Sequence, residues 1–443
     1  MEPKRPVVVL HGYSDHAASF EKLAGFLKEN GFNVIQIWLS EYKSMNDEIT
    51  IQDLGEAMGQ ALARENIATT KHSFDLICHS TGGLVVRAYL KHYFYGKPEL
   101  CPIKHLLMLA PANFGSPLAK LGKSMLGRLT KGWDWDHVFE TGTEILSSLE
   151  LASPISWRLA EHDLFDSRNA IFRKSNVYTT ILVGSDAYDG LKSIGHENGS
   201  DGTVRVSTAN LNASAFALKF SESGDPQIEE VRKYYDPIAF GVLFKKNHTS
   251  IIHPEGGDPE LGRLIIASLT IGTDEDYDQH VKDLAEVTEL TFARGIKDKD
   301  EEIQERYHDY QTLVTRVHDQ YGNWINDYFL EFFQETDSAE DETMQKMHKE
   351  VLEKVTKNET NASHRSFHFD LTDLERLLLQ HNKQVDMSIS VAALSDRIKY
   401  KNPERFAVLA TQKKTYLKSH ETLFLDIQVN RTQSKEMFKF IEG

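Results

Sequence analysis

The chain has 443 residues, with 50 Lys and Arg against 66 Asp and Glu, and so carries a formal net charge of −16. A composition 40% hydrophobic and 26% charged excludes a disordered or fibrous chain, and the length calls for about two or three domains. The acidic balance argues against nucleic acid as a partner, no run approaches the ~18 apolar residues of a membrane helix, and Cys78 and Cys101 are too few for a disulfide framework or a zinc cage.

The first half alternates short β-branched runs with helical patterns. Residues 7–10 read as a buried strand and 19–30 as an amphipathic helix with Phe20, Leu23, Ala24 and Leu27 on one face, closed by Gly31. Strands follow at 33–38, 74–78 and 105–109, with helices at 51–65 and 84–95 between them, and later strands at 178–183, 216–220 and 239–244. Such alternation predicts βαβ crossovers and a mostly parallel sheet, an α/β fold. Residues 117–176 contain no strong strand and read as an insertion rich in apolar and aromatic side chains, a cap or lid.

After residue 269 the pattern changes. The acidic stretch 272–278 reads as a linker, placing a boundary between a first domain, 1–275, and a second, 280–443. Short alternating segments at 287–292, 312–317, 328–333, 366–369, 387–391 and 423–429, with a turn at 319–323, predict a β-sandwich of the immunoglobulin sort. The charged stretch 337–361 reads as an exposed loop or surface helix.

Chemistry concentrates in the first domain. Strand 74–78 runs directly into His79-Ser80-Thr81-Gly82-Gly83 and a helix starts at once. A serine hydroxyl becomes a good nucleophile when a sharp strand-to-helix turn exposes it beside a base and aims amides at the developing oxyanion. Gly82 supplies the small residue two positions after Ser80, whereas two positions before it Cys78 stands in place of the usual glycine. Downstream of the first strand, His11-Gly12-Tyr13 fits a loop that donates an oxyanion amide from Tyr13, with Thr81 giving the other. His248 falls in the loop after strand 239–244, where a general base can reach back over the sheet; His253 is the competing histidine. For the acid the residues leave both Asp201, in a glycine-flanked turn, and Asp186, directly after a strand.

Together these segments resemble the α/β-hydrolase superfamily, and within it the bacterial lipases and esterases, over about residues 5–270. His11-Gly12 is similar to the lipase oxyanion loop, His79 to Leu84 to the nucleophile elbow, Ala110 to Pro117 to the segment after the next strand, and Asn247-His248 to the histidine segment. Ser200-Asp201-Gly202-Thr203-Val204 looks like that group's acid-bearing turn, which favours Asp201 over Asp186. The resemblance implies hydrolysis of carboxylic esters by Ser80, His248 and Asp201 through an acyl-enzyme. Thioesterases and acyltransferases share the constellation, and a silent scaffold is the reading from a different class. His11, Trp133 and Trp135 are candidate substrate contacts. No cofactor or metal is expected. The expected substrate is a small-molecule or lipid ester, with self-association or partner binding through the second domain. The short apolar stretch near the start lacks a signal-peptide core, so the expected location is cytoplasmic.

Overall fold

The structure, a computed structural model, describes residues 5–11, 17–38, 48–121, 142–187, 197–221, 225–254, 259–334, 347–381, 385–392, 398–400 and 416–433. The chain folds into two compact units, one of residues 1–212 and 233–308 and the other of residues 213–232 and 309–443. Among the described residues no helix is long and apolar enough to cross a membrane.

The first unit is built on six parallel strands in the order β2-β1-β3-β4-β5-β8: β1 (Pro6–His11), β2 (Asn33–Trp38), β3 (Phe74–His79), β4 (Ile103–Leu109), β5 (Tyr178–Gly184) and β8 (Ala239–Leu243). All six residues of β3 and all seven of β5 are buried, as expected for strands covered by helices on both faces. From β1 the chain moves outward to β2, then crosses to β3 on the other side of β1. This reversal makes a switch point between β1 and β3, and in open α/β sheets the crevice beyond the strands' carboxyl ends at such a point is where ligands bind.

Helices α1 (Ala17–Glu29), α2 (Ile51–Arg64) and α3 (Gly82–Phe94) cover this sheet. The α2 start is fixed by a capping box in which the Thr50 hydroxyl accepts from the Asp53 amide and Asp53 accepts from the Thr50 amide. On α3 the guanidinium of Arg87 is buried, where it makes two hydrogen bonds to Asp163 (2.7 and 3.1 Å) and one to the Asn113 carbonyl (2.6 Å). Asp163 ends helix Pro154–Asp163 of the predicted insertion, so this ion pair joins the insertion to the helix that follows Ser80.

The expected linker and first sandwich strand are corrected. Residues 272–278 and 287–292 belong largely to one helix, Asp274–Gly295, opened by a second capping box between Thr273 and Asp276. The acidic residues sit in its first turn, where the helix dipole favours negative charge. Tyr277, His280, Leu284, Val287 and Thr291 are buried, and their spacing of three and four is the helical period. The first unit therefore extends to residue 308 rather than ending near 275.

The second unit carries a six-stranded mixed sheet in the order β11-β12-β9-β15-β6-β7: β6 (Ala213–Phe220), β7 (Pro226–Glu230), β9 (Tyr310–Asp319), β11 (Leu352–Lys357), β12 (His364–Asp370) and β15 (Thr422–Val429). A ribbon of β10 (Tyr328–Gln334) and β13 (Val385–Val391) and a short pair, β14 (Ile398–Tyr400) with β16 (Arg431–Gln433), complete its strands among the described residues. Leu313, Phe367, Leu425 and Phe216 of the large sheet share one core with Leu330, Phe332 and Ile389 of the ribbon and with Leu374 and Leu377 of helix Leu371–His381. The layering is sandwich-like, but the immunoglobulin expectation is corrected. β15 runs parallel to both β9 and β6, and parallel neighbours require crossover connections that a hairpin-built immunoglobulin sheet lacks. β6 is the strand expected at 216–220 in the first domain; it is contributed instead to this sheet. Of the charged stretch 337–361, residues 347–357 form a π-helical turn and the edge strand β11, while 337–346 lie outside the described residues.

Two buried histidines give the first unit an acid limit. His162 bonds Asn169 and stacks on Tyr95, and His280 bonds the Ser268 hydroxyl. Burial, which penalises the charged ring, lowers both from the ordinary 6.5 to about 4. Between pH 6.5 and 4 the unfolded chain therefore binds more protons at these sites than the folded one. Stability is full above pH 6.5 and falls as pH drops toward 4, by on the order of 2–3 kcal/mol for His280 and by less for the more solvent-screened His162. Calorimetric melts between pH 7 and 4 should show this decline, and His280→Gln should flatten it; an unchanged slope in that variant would remove His280 from the account.

Candidate active site

β3 ends in His79, and the chain turns at Ser80, whose φ of +55° is left-handed, before α3 begins at Gly82. A non-glycine residue held there is strained, and the surroundings hold it. The Ser80 amide donates to the Leu109 carbonyl of β4 (3.1 Å), and the Ser80 carbonyl accepts from the amides of Gly83 and Ala112 (3.1 Å each). Neither following glycine can be replaced freely. A Cβ on Gly83 would lie 2.8 Å from Pro111 Cβ, and one on Gly82 would lie 3.1 Å from Cys78 Cβ. Cysteine at position 78 is thus accommodated because position 82 has no side chain. Burial pushes the Cys78 thiol far above its ordinary range, so this neighbour of Ser80 stays protonated and is no rival nucleophile.

Three loops at the carboxyl edge of the sheet converge on Ser80. The loop after β8 is shaped by Asn247, whose side-chain oxygen accepts from the amides of Thr249 (3.1 Å) and Ser250 (2.8 Å). It presents His248 with Nε2 3.0 Å from Ser80 Oγ and Nδ1 2.9 Å from Asp201 Oδ2. Asp201 is fully buried. Its Oδ1 accepts from the amides of Thr203 (2.9 Å) and Val204 (2.7 Å), leaving Oδ2 for the imidazole, and the His248 amide donates to the Asp201 carbonyl (3.0 Å). The turn itself is braced by a buried Arg205–Glu197 pair at 2.6 Å. The segment after β4 closes onto it, with the Ser116 hydroxyl donating to the Thr203 carbonyl (2.5 Å).

Of the sequence-predicted residues, Ser80, His248 and Asp201 come together in one hydrogen-bonded chain. Asp186 does not join them; it pairs with Arg306 at 3.1 Å. His253 ends the short 3-10 turn Ser250–Ile252, beyond His248. Thr81 is buried at the α3 N-cap, and among the described residues its N–H donates no hydrogen bond. Tyr13, Trp133 and Trp135 lie outside the described residues, and of His11 only its place at the end of β1 is described. Two contributors were not singled out from the sequence as site-builders. The ring of His79 packs 4.6 Å from that of His248, and Ser116 joins the β4 loop to the acid turn. Both pairings span long sequence separations, which periodicity cannot reveal.

Chemically, a hydroxyl bonded to an imidazole whose other nitrogen is held by a buried carboxylate can pass its proton to the ring as it attacks an acyl carbon.

The family profile described as palmitoyl protein thioesterase matches residues 6–120. No curated protein matches the sequence. Among solved structures, phospholipase PlaB from Legionella pneumophila is 25% identical with a TM-score of 0.84, over 99% of this chain and 96% of that one. The same phospholipase in complex with thio-NAD gives 26% and 0.81, over 98% and 96%. The mature lipase BlEst2 of Bacillus licheniformis is 17% identical with a TM-score of 0.38, over 61% of this chain and 94% of that one.

Proposed function

We propose that this chain, an ester hydrolase of the α/β-hydrolase superfamily, cleaves acyl esters of phospholipids with Ser80 as nucleophile, His248 as general base and Asp201 as the carboxylate that orients it. The observation that carries the assignment of roles is the hydrogen-bonded relay, 3.0 Å from Ser80 to His248 and 2.9 Å from His248 to Asp201. Ser80 Oγ attacks the acyl carbon while its proton passes to His248 Nε2. The tetrahedral oxyanion accepts hydrogen bonds from the Thr81 amide and, on the sequence reading, the Tyr13 amide. Collapse expels the alcohol, which takes the proton from His248. Water then attacks the acyl-enzyme by the same route, releasing the fatty acid and restoring the Ser80 hydroxyl.

The phospholipid substrate is supported by the likeness to phospholipase PlaB, which spans nearly the whole of both chains. The thioesterase match over residues 6–120 favours a second reading, in which the leaving group is a thiol. A direct comparison separates them. Fatty acid release from phosphatidylglycerol and phosphatidylcholine vesicles is measured beside thiol release from a palmitoyl thioester, each with the parent chain and Ser80→Ala. The expected result is a higher kcat/KM on phospholipid, abolished in the variant. A higher value on the thioester would install the second reading, and release that survives Ser80→Ala would overturn both.

A further inference from the structure

The geometry points to His79 as a positioning residue that ties the general base to the nucleophile's own backbone, an inference that rests on the roles proposed above for Ser80, His248 and Asp201. His79 is the last residue of β3 and the covalent neighbour of Ser80. Its side chain is fully buried, with the ring of Phe20 edge-on at 5.8 Å and the ring of His248 tilted by 44° at 4.6 Å. Its Nε2 lies 2.9 Å from the carbonyl oxygen of His248. A carbonyl only accepts, so His79 carries a proton on Nε2.

The consequence follows from counting what holds His248 in place. Its two ring nitrogens bond Ser80 and Asp201, and the bond to Ser80 must break each time the proton moves to the leaving group or returns. Its backbone is held separately, the amide by the Asp201 carbonyl at 3.0 Å and the carbonyl by His79. The backbone pivot of the base is thus fastened to one residue of the acid turn and to the residue next to the nucleophile. Turnover leaves both of those bonds intact. Misplacing a catalytic group by about 1 Å can cost a hundredfold in rate, so a pivot fixed in this way bears on kcat rather than on substrate affinity.

Two variants and one measurement on the parent chain test this. His79→Phe keeps a planar ring of similar size and removes the donor. His79→Gln keeps a donor at the position of Nε2 and removes the aromatic ring. Expected for His79→Phe is a kcat on a soluble ester about ten- to a hundredfold lower, with KM unchanged and a matching slowdown of fluorophosphonate labelling at Ser80. His79→Gln should recover to within about threefold of the parent, since the donor is what matters. Nitrogen-15 NMR of the histidine-labelled parent chain should show the His79 signal, identified by its loss in His79→Gln, protonated at Nε2. A parental kcat in folded His79→Phe overturns the assignment, as does a His79→Gln variant as slow as His79→Phe, or an Nε2 without its proton. Should His79→Phe fail to fold, the other two readouts decide: a protonated Nε2 with near-parental His79→Gln supports the tether, and failure of either sinks it. Ser80→Ala is run alongside. If that variant stays active, the triad reading itself has failed; if it is dead while His79→Phe is unimpaired, only the tether has.

Discussion

Ser80→Ala and His248→Ala are each expected to lower turnover of a soluble p-nitrophenyl ester by about 10⁵–10⁶, with the melting temperature little changed. The three residues act as a unit, so removing one forfeits most of the benefit of all, and what remains is the contribution of the oxyanion amides and of binding. Asp201→Asn is expected to cost about 10⁴. An asparagine amide placed at Oδ2 would face the Nδ1 proton with a donor or drive the imidazole into the wrong tautomer, and at Oδ1 it would meet the amides of Thr203 and Val204. Asp186→Asn is the control, since that carboxylate pairs with Arg306 whereas His248 Nδ1 bonds Asp201; its effect should stay within about threefold. Single-turnover and steady-state rates on all four variants read this out. A crippled Asp186→Asn beside a near-normal Asp201→Asn would transfer the acid role and dismantle the relay proposed here.

Much of the site was legible because its chemistry is local. The elbow shows in sequence as an apolar strand, a serine and two glycines, because a Cβ at 83 would clash with Pro111 and one at 82 would press tightly on Cys78. Cys78 stands where the pattern usually has glycine; in three dimensions it fits against Gly82, so the two positions divide one small space. Asp201 and His248 were harder. Each sits in a loop, and their meeting 47 positions apart in sequence depends on how β5 and β8 lie side by side. Likeness to known lipases favoured Asp201 where spacing alone left Asp186 equally open.

The second half was legible strand by strand and misread as a whole. Alternation correctly marked β9, β10, β12, β13 and β15, because each has one face in a shared core. Alternation says nothing about which strand is the neighbour or in which direction it runs. So the parallel pairing of β15 with β9, and the recruitment of β6 from residues 213–220, lay beyond it. The helix Asp274–Gly295 was missed for a different reason. Its acidic first turn resembles a linker in composition, and only the buried positions 277, 280, 284, 287 and 291 expose its period.

That helix decides how the chain can be cut. Residues 1–275, the boundary the sequence pattern suggests, are expected not to fold when expressed alone. The cut removes Tyr277, Leu284, Val287 and Phe292, all of which belong to the core of the first unit. At roughly 1.5–3 kcal/mol for each buried large apolar side chain, the loss is about 6–12 kcal/mol. Whole domains are stable by only about 5–15 kcal/mol. The cut also strands β6, which pairs over seven residues with β15 from the far end of the chain and would be left with an open, apolar edge. Expression of residues 1–275 should therefore give aggregated protein without a cooperative melt and without esterase activity, while the full chain is active. Leu284→Asp in the full chain isolates the first cause, since Leu284 is buried against the sheet and packs over Gly241; it should destabilise the first unit severely. A soluble, cooperatively melting 1–275 fragment that hydrolyses p-nitrophenyl esters would show that neither the helix nor the pairing of β6 is needed. The boundary would then return to residue 275.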